Sequence, residues 1–167
     1  GSGLNLYDNV VDLMIKPARK ENDACNIVQF PTNSYLTVVN RTKTGPKGGP
    51  RQIQVYRPLS ENTVYVTGQL PLGGSPWQDA AAIHEPGLWY LNLLRGRLQE
   101  RGIQVDGKIR AITWLDDQPM PDYDQIPELA NLRSKPLTAL LTEMMKSSQN
   151  LYAHLLFLQV GKYFSFK

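Results

Sequence analysis

Between Asn9 and Thr67 the chain carries four short segments rich in β-branched and aromatic residues, each bounded by turn formers. Residues 9–15 (NVVDLMI), 34–39 (SYLTVV), 52–56 (QIQVY) and 63–67 (TVYVT) read as strands. Pro17, Pro31 and Pro58 fall beside these segments, where a missing backbone N–H is tolerated. Between the second and third segments, RTKTGPKGGPRQ concentrates glycine and proline among basic residues, and a long exposed hairpin loop is expected there. Residues 4–70 are therefore expected to form an antiparallel β-rich domain.

The pattern changes at residues 70–77 (LPLGGSPW), which read as a turn-rich hinge. Residues 85–101 then have helical spacing, with Pro86 in the first turn, Tyr90, Leu94 and Leu98 on one face and Gly102 to stop the helix. Gly96 inside it costs about 1 kcal/mol against alanine, which suits a close packing contact. A strand at 108–114 (KIRAITW) follows the turn Asp106-Gly107, so residues 71–115 read as an α/β segment built on a crossover. Residues 115–131 hold three prolines and five acids and read as a linker. Ser134 is a candidate N-cap and Pro136 a first-turn residue for a helix through Lys146, whose apolar stripe is Leu137, Leu140, Leu141 and Met144. Residues 151–160 supply a second apolar helix, which places 116–167 as linker plus helices. The expected class is mixed α+β.

Composition narrows the function classes. A 41% hydrophobic and 20% charged chain is that of a globular protein, and a net charge of +3 permits an anionic partner without requiring one. No apolar run approaches the roughly 18 residues of a membrane span. The single cysteine, Cys25, excludes an internal disulfide and a multi-cysteine metal site. Gly1-Ser2-Gly3 reads as an expression scar, so a signal peptide removed upstream is compatible with this start.

The helical pattern is interrupted once, in MMKSSQNLYAHLL (144–156), where Ser148-Gln149-Asn150 breaks an otherwise apolar run. On one continuous helix, positions 148 and 150 point about 200° apart and cannot share a ligand. A turn between two helices removes that obstacle.

The segment SKPLTALLTEMMKSSQNLYAHLLFLQVG resembles the region around the second active-site motif of the class C low-molecular-mass penicillin-binding proteins, the D-alanyl-D-alanine carboxypeptidases and endopeptidases. LNLYDNVVDLMIKP, PTNSYLTVVNRTKTG, NTVYVTGQLPLG and EPGLWYLNLLRGRLQERGIQVDGKI resemble the same family in the same order, so the likeness covers the chain from about Leu4 to Gly161. The resemblance implies that a β-rich inserted domain, part of a second inserted domain and a return into the penicillin-binding domain follow one another here. In that family S-x-x-K, S-x-N and K-T-G converge on one cleft. Ser148 and Asn150 match S-x-N. Ser60-Glu61-Asn62 has the same spelling in a turn context, and Lys43-Thr44-Gly45 spells the third motif inside the basic, proline-rich stretch; both are expected to be coincidences.

A serine hydroxyl both accepts and donates, so Ser148 suits a proton relay between a lysine and a departing D-alanine. Asn150 offers two N–H donors and a carbonyl, enough to hold a substrate amide beside a lysine. No serine in the chain is followed three residues on by lysine, so the nucleophile is absent and the chain alone is expected to be inactive. The resemblance implies a parent enzyme acting outside the cytoplasm, in the periplasm or its equivalent, on peptidoglycan peptides ending in D-Ala-D-Ala, and reacting with β-lactams. It leaves carboxypeptidase and endopeptidase action both open. No cofactor, nucleic acid or membrane span is expected. The helices, separated from the rest of such a domain, are expected to fold loosely or to associate through residues 137–158.

Other candidates are weaker. Asp79, His84 and Glu85 match no standard ligand spacing, so no metal is expected. His154 reads as a core or boundary histidine, Cys25 has no histidine partner nearby, and Trp77, Trp89 and Trp114 read as packing residues before a glycan site. The stretch from Arg41 to Arg51 supports an alternative: a non-catalytic β-rich module that docks on cell wall or another anionic polymer.

Overall fold

The computed structural model describes residues 5–112, 122–128 and 130–165. The chain divides into two compact units at residue 111, and each is treated by itself below. The fold is mixed α+β.

The first unit is built from β1 (Val10–Lys16), β2 (Asn26–Phe30), β3 (Thr37–Gly45), β4 (Gln52–Tyr56), β5 (Thr63–Pro71), β6 (Trp77–Ala82) and α1 (Pro86–Glu100). The strands make two three-stranded sheets, β2-β1-β6 and β3-β5-β4. The first is antiparallel, with Leu13 opposite Gln29 on one side and Asp79 on the other. In the second, β4 runs antiparallel to β5, but β3 runs parallel to it, Val38 lying opposite Val64. The expected antiparallel pairing holds for three of the four strand pairs among the described residues, and β3–β5 departs from it.

Alternation dictates the core. Val11, Leu13 and Ile15 on β1, and Val64, Val66 and Leu70 on β5, are buried. Cys25, Leu36, Ile53, Ala81, Ile83 and Trp89 complete one apolar cluster that both sheets and α1 share. At the period-two position between Val66 and Leu70 stands Gly68, with φ +108°, and a Cβ there would run into the Gln52 carbonyl. Glycine is the residue that lets β4 lie this close. Trp89 is wholly enclosed, and the Tyr7 ring lies 6.2 Å from it. Tyr7, Asp8 and Asn9 all have positive φ, a left-handed turn tied by the Asn9 N–H to the Leu6 carbonyl at 2.9 Å.

Several local expectations change. The anticipated hairpin does not form: β5 lies between β3 and β4, so residues 46–51 cross its end. β3 itself runs on through Arg41–Gly45, because the hydroxyls of Thr42 and Thr44 are used inside the core. Thr42 Oγ1 accepts the Cys25 N–H at 3.1 Å and Thr44 Oγ1 accepts the Ala18 N–H at 2.8 Å. The hinge at 70–77 is a tight turn between β5 and β6, closed by the Gly74 N–H on the Pro71 carbonyl at 2.9 Å. Since β6 pairs with β1, the β structure continues past residue 70. The strand expected at 108–114 is not formed over 108–112; its remainder, with Trp114, lies outside the described residues.

The second unit holds a short 3₁₀ turn at Tyr123–Gln125 and two helices, α2 (Leu137–Ser147) and α3 (Asn150–Ser165). Of the expected linker at 115–131, residues 115–121 and 129 lie outside the described residues. No described helix is long and apolar enough to cross a membrane.

Candidate functional site: the break between α2 and α3

α2 starts three residues beyond Ser134, which is not its cap. Pro136 occupies the N-cap position, and its carbonyl accepts the N–H groups of Ala139 and Leu140 at 2.9 and 3.2 Å. The Ser134 hydroxyl donates to the Lys135 carbonyl at 3.1 Å instead. Leu140 and Met144 are half-buried, whereas Leu137, Leu141 and Met145 stand on the exposed side.

The helix ends where the polar insert begins. Ser148 takes a left-handed conformation, φ 55° and ψ 43°, and its N–H points to the Met144 carbonyl. The next N–H, of Gln149, donates to that same carbonyl at 3.0 Å. Two successive donors converging on one carbonyl close a helix C-terminus, usually with glycine at the left-handed position. A serine there costs about 1–2 kcal/mol of backbone energy, and such strained positions cluster at functional sites. α3 then starts at Asn150, with the Gln149 carbonyl accepting the Ala153 N–H at 3.2 Å.

The expected turn is therefore present: Ser148 terminates one helix and Asn150 opens the next. Both residues are exposed. Neighbouring hydroxyls are occupied by their own helix, Ser147 Oγ donating to the Glu143 carbonyl at 2.6 Å and Thr142 Oγ1 to the Thr138 carbonyl at 2.8 Å. Among the described residues, the Ser148 hydroxyl and the Asn150 amide have no such partner. The arrangement offers one hydroxyl and one amide from the same corner, both with their hydrogen-bonding capacity unspent.

A scan of protein families matches residues 2–165 to the D-Ala-D-Ala carboxypeptidase 3 (S13) family. The chain belongs to that family. Within it, a D-alanyl-D-alanine carboxypeptidase of Actinomadura sp. (strain R39) is 28% identical over 153 residues, covering 92% of this chain and 27% of the relative. Among solved structures, penicillin binding protein 4 from Haemophilus influenzae, complexed with a β-lactam, is similar with a TM-score of 0.70 and 23% identity, over 93% of this chain and 34% of that one. A second structure of the Haemophilus protein gives 0.68 and 22% over 92% and 32%. The chain thus spans about a quarter to a third of the proteins it matches, and the structural likeness is one of fold.

The other two motif spellings have structural roles. Thr44 of Lys43-Thr44-Gly45 is fully buried on β3, not in a loop as expected, and its hydroxyl serves Ala18. Asn62 of Ser60-Glu61-Asn62 ties the start of β5 to His84 with both ends of its amide. His84 is half-buried and Glu85 exposed, and no His, Cys, Asp and Glu cluster among the described residues could hold a metal. Cys25 is buried with Sγ 3.8 Å from Thr44 Oγ1. His154 is exposed, which corrects its reading as a core or boundary residue: α3 has no second layer over that side among the described residues of its own unit. Trp89 is a core residue as expected, while Trp77 is half-buried under the Arg51 guanidinium at 4.7 Å.

The basic stretch is not a floppy cationic loop. Arg41 lies on β3 over the Tyr65 ring at 5.4 Å, and Arg51 donates to the Pro76 carbonyl at 2.9 Å. Of its four cations, only Lys47 remains between the strands with no side-chain contact of that kind. The sequence reading missed the surface this creates: Arg41, Gln54, Tyr56, Tyr65 and Thr67 line a depression of ≈ 430 Å³ on the outward face of the second sheet. The signal was present in the alternation Q-I-Q-V-Y and T-V-Y-V-T, whose outward letters are glutamine, tyrosine and threonine.

Proposed function

We propose that this chain is part of a serine-type D-Ala-D-Ala carboxypeptidase or endopeptidase that hydrolyses peptidoglycan peptides through an acyl-enzyme, outside the bacterial cytoplasm. Ser148 and Asn150 form one corner of its site. The observation that carries this is the helix break at Ser148, with an uncommitted hydroxyl at the end of one helix and an uncommitted amide at the start of the next, in an S13 chain. Hydrolysis of a terminal D-Ala-D-Ala bond needs a proton delivered to the departing D-alanine nitrogen as the tetrahedral intermediate collapses. Ser148 Oγ donates that proton while accepting one from a lysine. Asn150 fixes the substrate amide and the lysine at hydrogen-bonding distance, so that little reorganisation is needed when the bond breaks.

The nucleophile is a serine that this chain does not contain in an S-x-x-K setting. The chain alone therefore stays unlabelled by a fluorescent penicillin. In the full-length parent protein, Ser148→Ala and Asn150→Ala each lower the acylation rate by about 10²–10⁴. Stoichiometric labelling of the isolated chain, or acylation of both parent variants at the unmodified rate, would overturn the assignment.

A further inference from the structure

We infer that the outward face of the β3-β5-β4 sheet is a binding surface for the polymer itself, a glycan strand bearing acidic stem peptides, separate from the Ser148 corner. The inference rests on the family reading above for the identity of the polymer, and on the sheet for the site. Tyr56 and Tyr65 lie directly opposite each other on β4 and β5, with ring centroids 6.5 Å apart and planes inclined by only 31°. Tyr56 is 64% exposed. Two neighbouring aromatic rings on one sheet face offer apolar ring surface on which the C–H face of a pyranose stacks, as apolar faces do on tyrosine generally.

The polar surroundings fit a sugar carrying a carboxylate. The Arg41 guanidinium carbon lies over the Tyr65 ring at 5.4 Å, and its N–H groups, with no partner in the protein among the described residues, can take a carboxylate in bidentate fashion. Gln54 and Thr67 stand opposite each other one step along the same two strands, an amide and a hydroxyl facing outward beside the rings. Among the described residues the side chains of Arg41, Gln54, Tyr56, Tyr65 and Thr67 make no hydrogen bond or ion pair within the protein. They form a fixed surface whose donors and acceptors are all unspent. The depression holds one cation and no carboxylate, so a neutral sugar with an anionic substituent complements it. A single arginine is few for nucleic acid, whose affinity rests on many phosphate contacts.

The test is binding to the 167-residue chain, followed by NMR and calorimetry, with three probes: soluble muropeptide oligomers, an N-acetylglucosamine tetramer and a single-stranded DNA oligonucleotide. Muropeptide is expected to shift the Tyr56 and Tyr65 ring resonances, and Tyr56→Ala to weaken it by about tenfold. Arg41→Gln is expected to weaken the muropeptide about fivefold and leave the uncharged tetramer unchanged. Binding of neither glycan at millimolar concentration, equal binding by Tyr56→Ala, or tighter binding of the oligonucleotide would overturn the inference. Because this readout needs no nucleophile, its failure is distinct from failure of the catalytic reading. In the full-length parent, Tyr56→Ala is expected to leave penicillin acylation unchanged, and a loss of acylation there would also overturn the separation of the two sites.

Discussion

Asn62 grips His84 with both ends of its side chain. The His84 N–H donates to Asn62 Oδ1 at 2.8 Å, and Asn62 Nδ2 donates to the His84 carbonyl at 3.0 Å. One amide thus replaces a rung of sheet and fastens the entry of β5 to the lead-in of α1. Asn62→Ala leaves both backbone groups of a half-buried residue without their partner and is expected to cost about 1–3 kcal/mol. Asn62→Asp keeps the acceptor and loses the donor, so it should cost less than Asn62→Ala. Urea unfolding of the two variants checks the order; equal midpoints with the unmodified chain would remove the clip from the account.

Gly68 is the second structural dependency. Alanine there meets a strained φ and a steric conflict with the Gln52 backbone together, so Gly68→Ala is expected to lose about 2–4 kcal/mol. Gly73→Ala has a positive φ but open space around it, and should lose only about 1 kcal/mol. Thermal melts that rank the two equally would show that β4 shifts to accept a side chain.

Ser148 makes a prediction of the opposite sign. Glycine adopts the left-handed conformation without penalty, so Ser148→Gly is expected to leave the helix break in place and to stabilise the second unit by up to about 1 kcal/mol. The same substitution deletes the hydroxyl, so in the parent protein it should reduce acylation as Ser148→Ala does. A stability gain with loss of activity is what a residue kept for chemistry produces. Unchanged acylation by the glycine variant would mean the turn matters and the hydroxyl does not.

Tyr35 gives the pH dependence. Its phenol is pushed above the ordinary value of 10.0, first by burial and then by the Glu85 carboxylate, with an Asn62 hydrogen bond opposing both. A raised folded value means the neutral phenol is favoured in the folded state. Its contribution is fully present below pH 10.0 and is lost as pH rises through the folded value. Unfolding midpoints should therefore fall more steeply above about pH 10 than those of Tyr35→Phe. Parallel curves for the two proteins would refute the linkage.

The sequence showed β4 at its full length, β1 and α1 to within a residue or two, and the helix break. On β1 and β4 the apolar period coincides with the buried face, whereas on α1 the buried residue is Trp89 and Leu94 of the expected face is 42% exposed. The sequence did not show β2 or β6. On β2 Val28 and Phe30 are exposed while Ile27 packs on the core, so apolar residues fall on both faces and the alternation signal is lost. On β6 the run Ala80-Ala81-Ala82 has helix-forming composition, and its pairing with Val10, Val11 and Asp12 imposes the strand. The extension of β3 was hidden because two threonines stand in core positions and satisfy backbone N–H groups from other segments. Of the candidate site, the residue types were legible at Ser148 and Asn150; on the second sheet the outward alternation of Tyr56 and Tyr65 was present in the sequence, but the strand order that brings Arg41 beside them was not, since it depends on β5 lying between β3 and β4.

The helices of the second unit carry the last prediction. Among the described residues of α2 and α3 none is buried. Leu137, Leu141 and Met145 form an i, i+4 row on the open side of α2, Met145 being 74% exposed, and Phe157 on α3 is 73% exposed. Leu140 and Met144 face the half-buried side, so the two helices satisfy one row each and leave another in water. Covering four leucine-sized side chains is worth roughly 6–12 kcal/mol at ~1.5–3 kcal/mol each, comparable to the stability of a whole domain. The isolated chain is therefore expected to associate through residues 137–158, or to show rapid amide exchange there while the cluster around Leu13 and Val66 stays protected. Leu141→Lys with Phe157→Lys should abolish association in light scattering without moving the unfolding transition of the first unit. A monomer with slow exchange throughout both helices would contradict both outcomes, because the exposed row would then need no partner to be ordered.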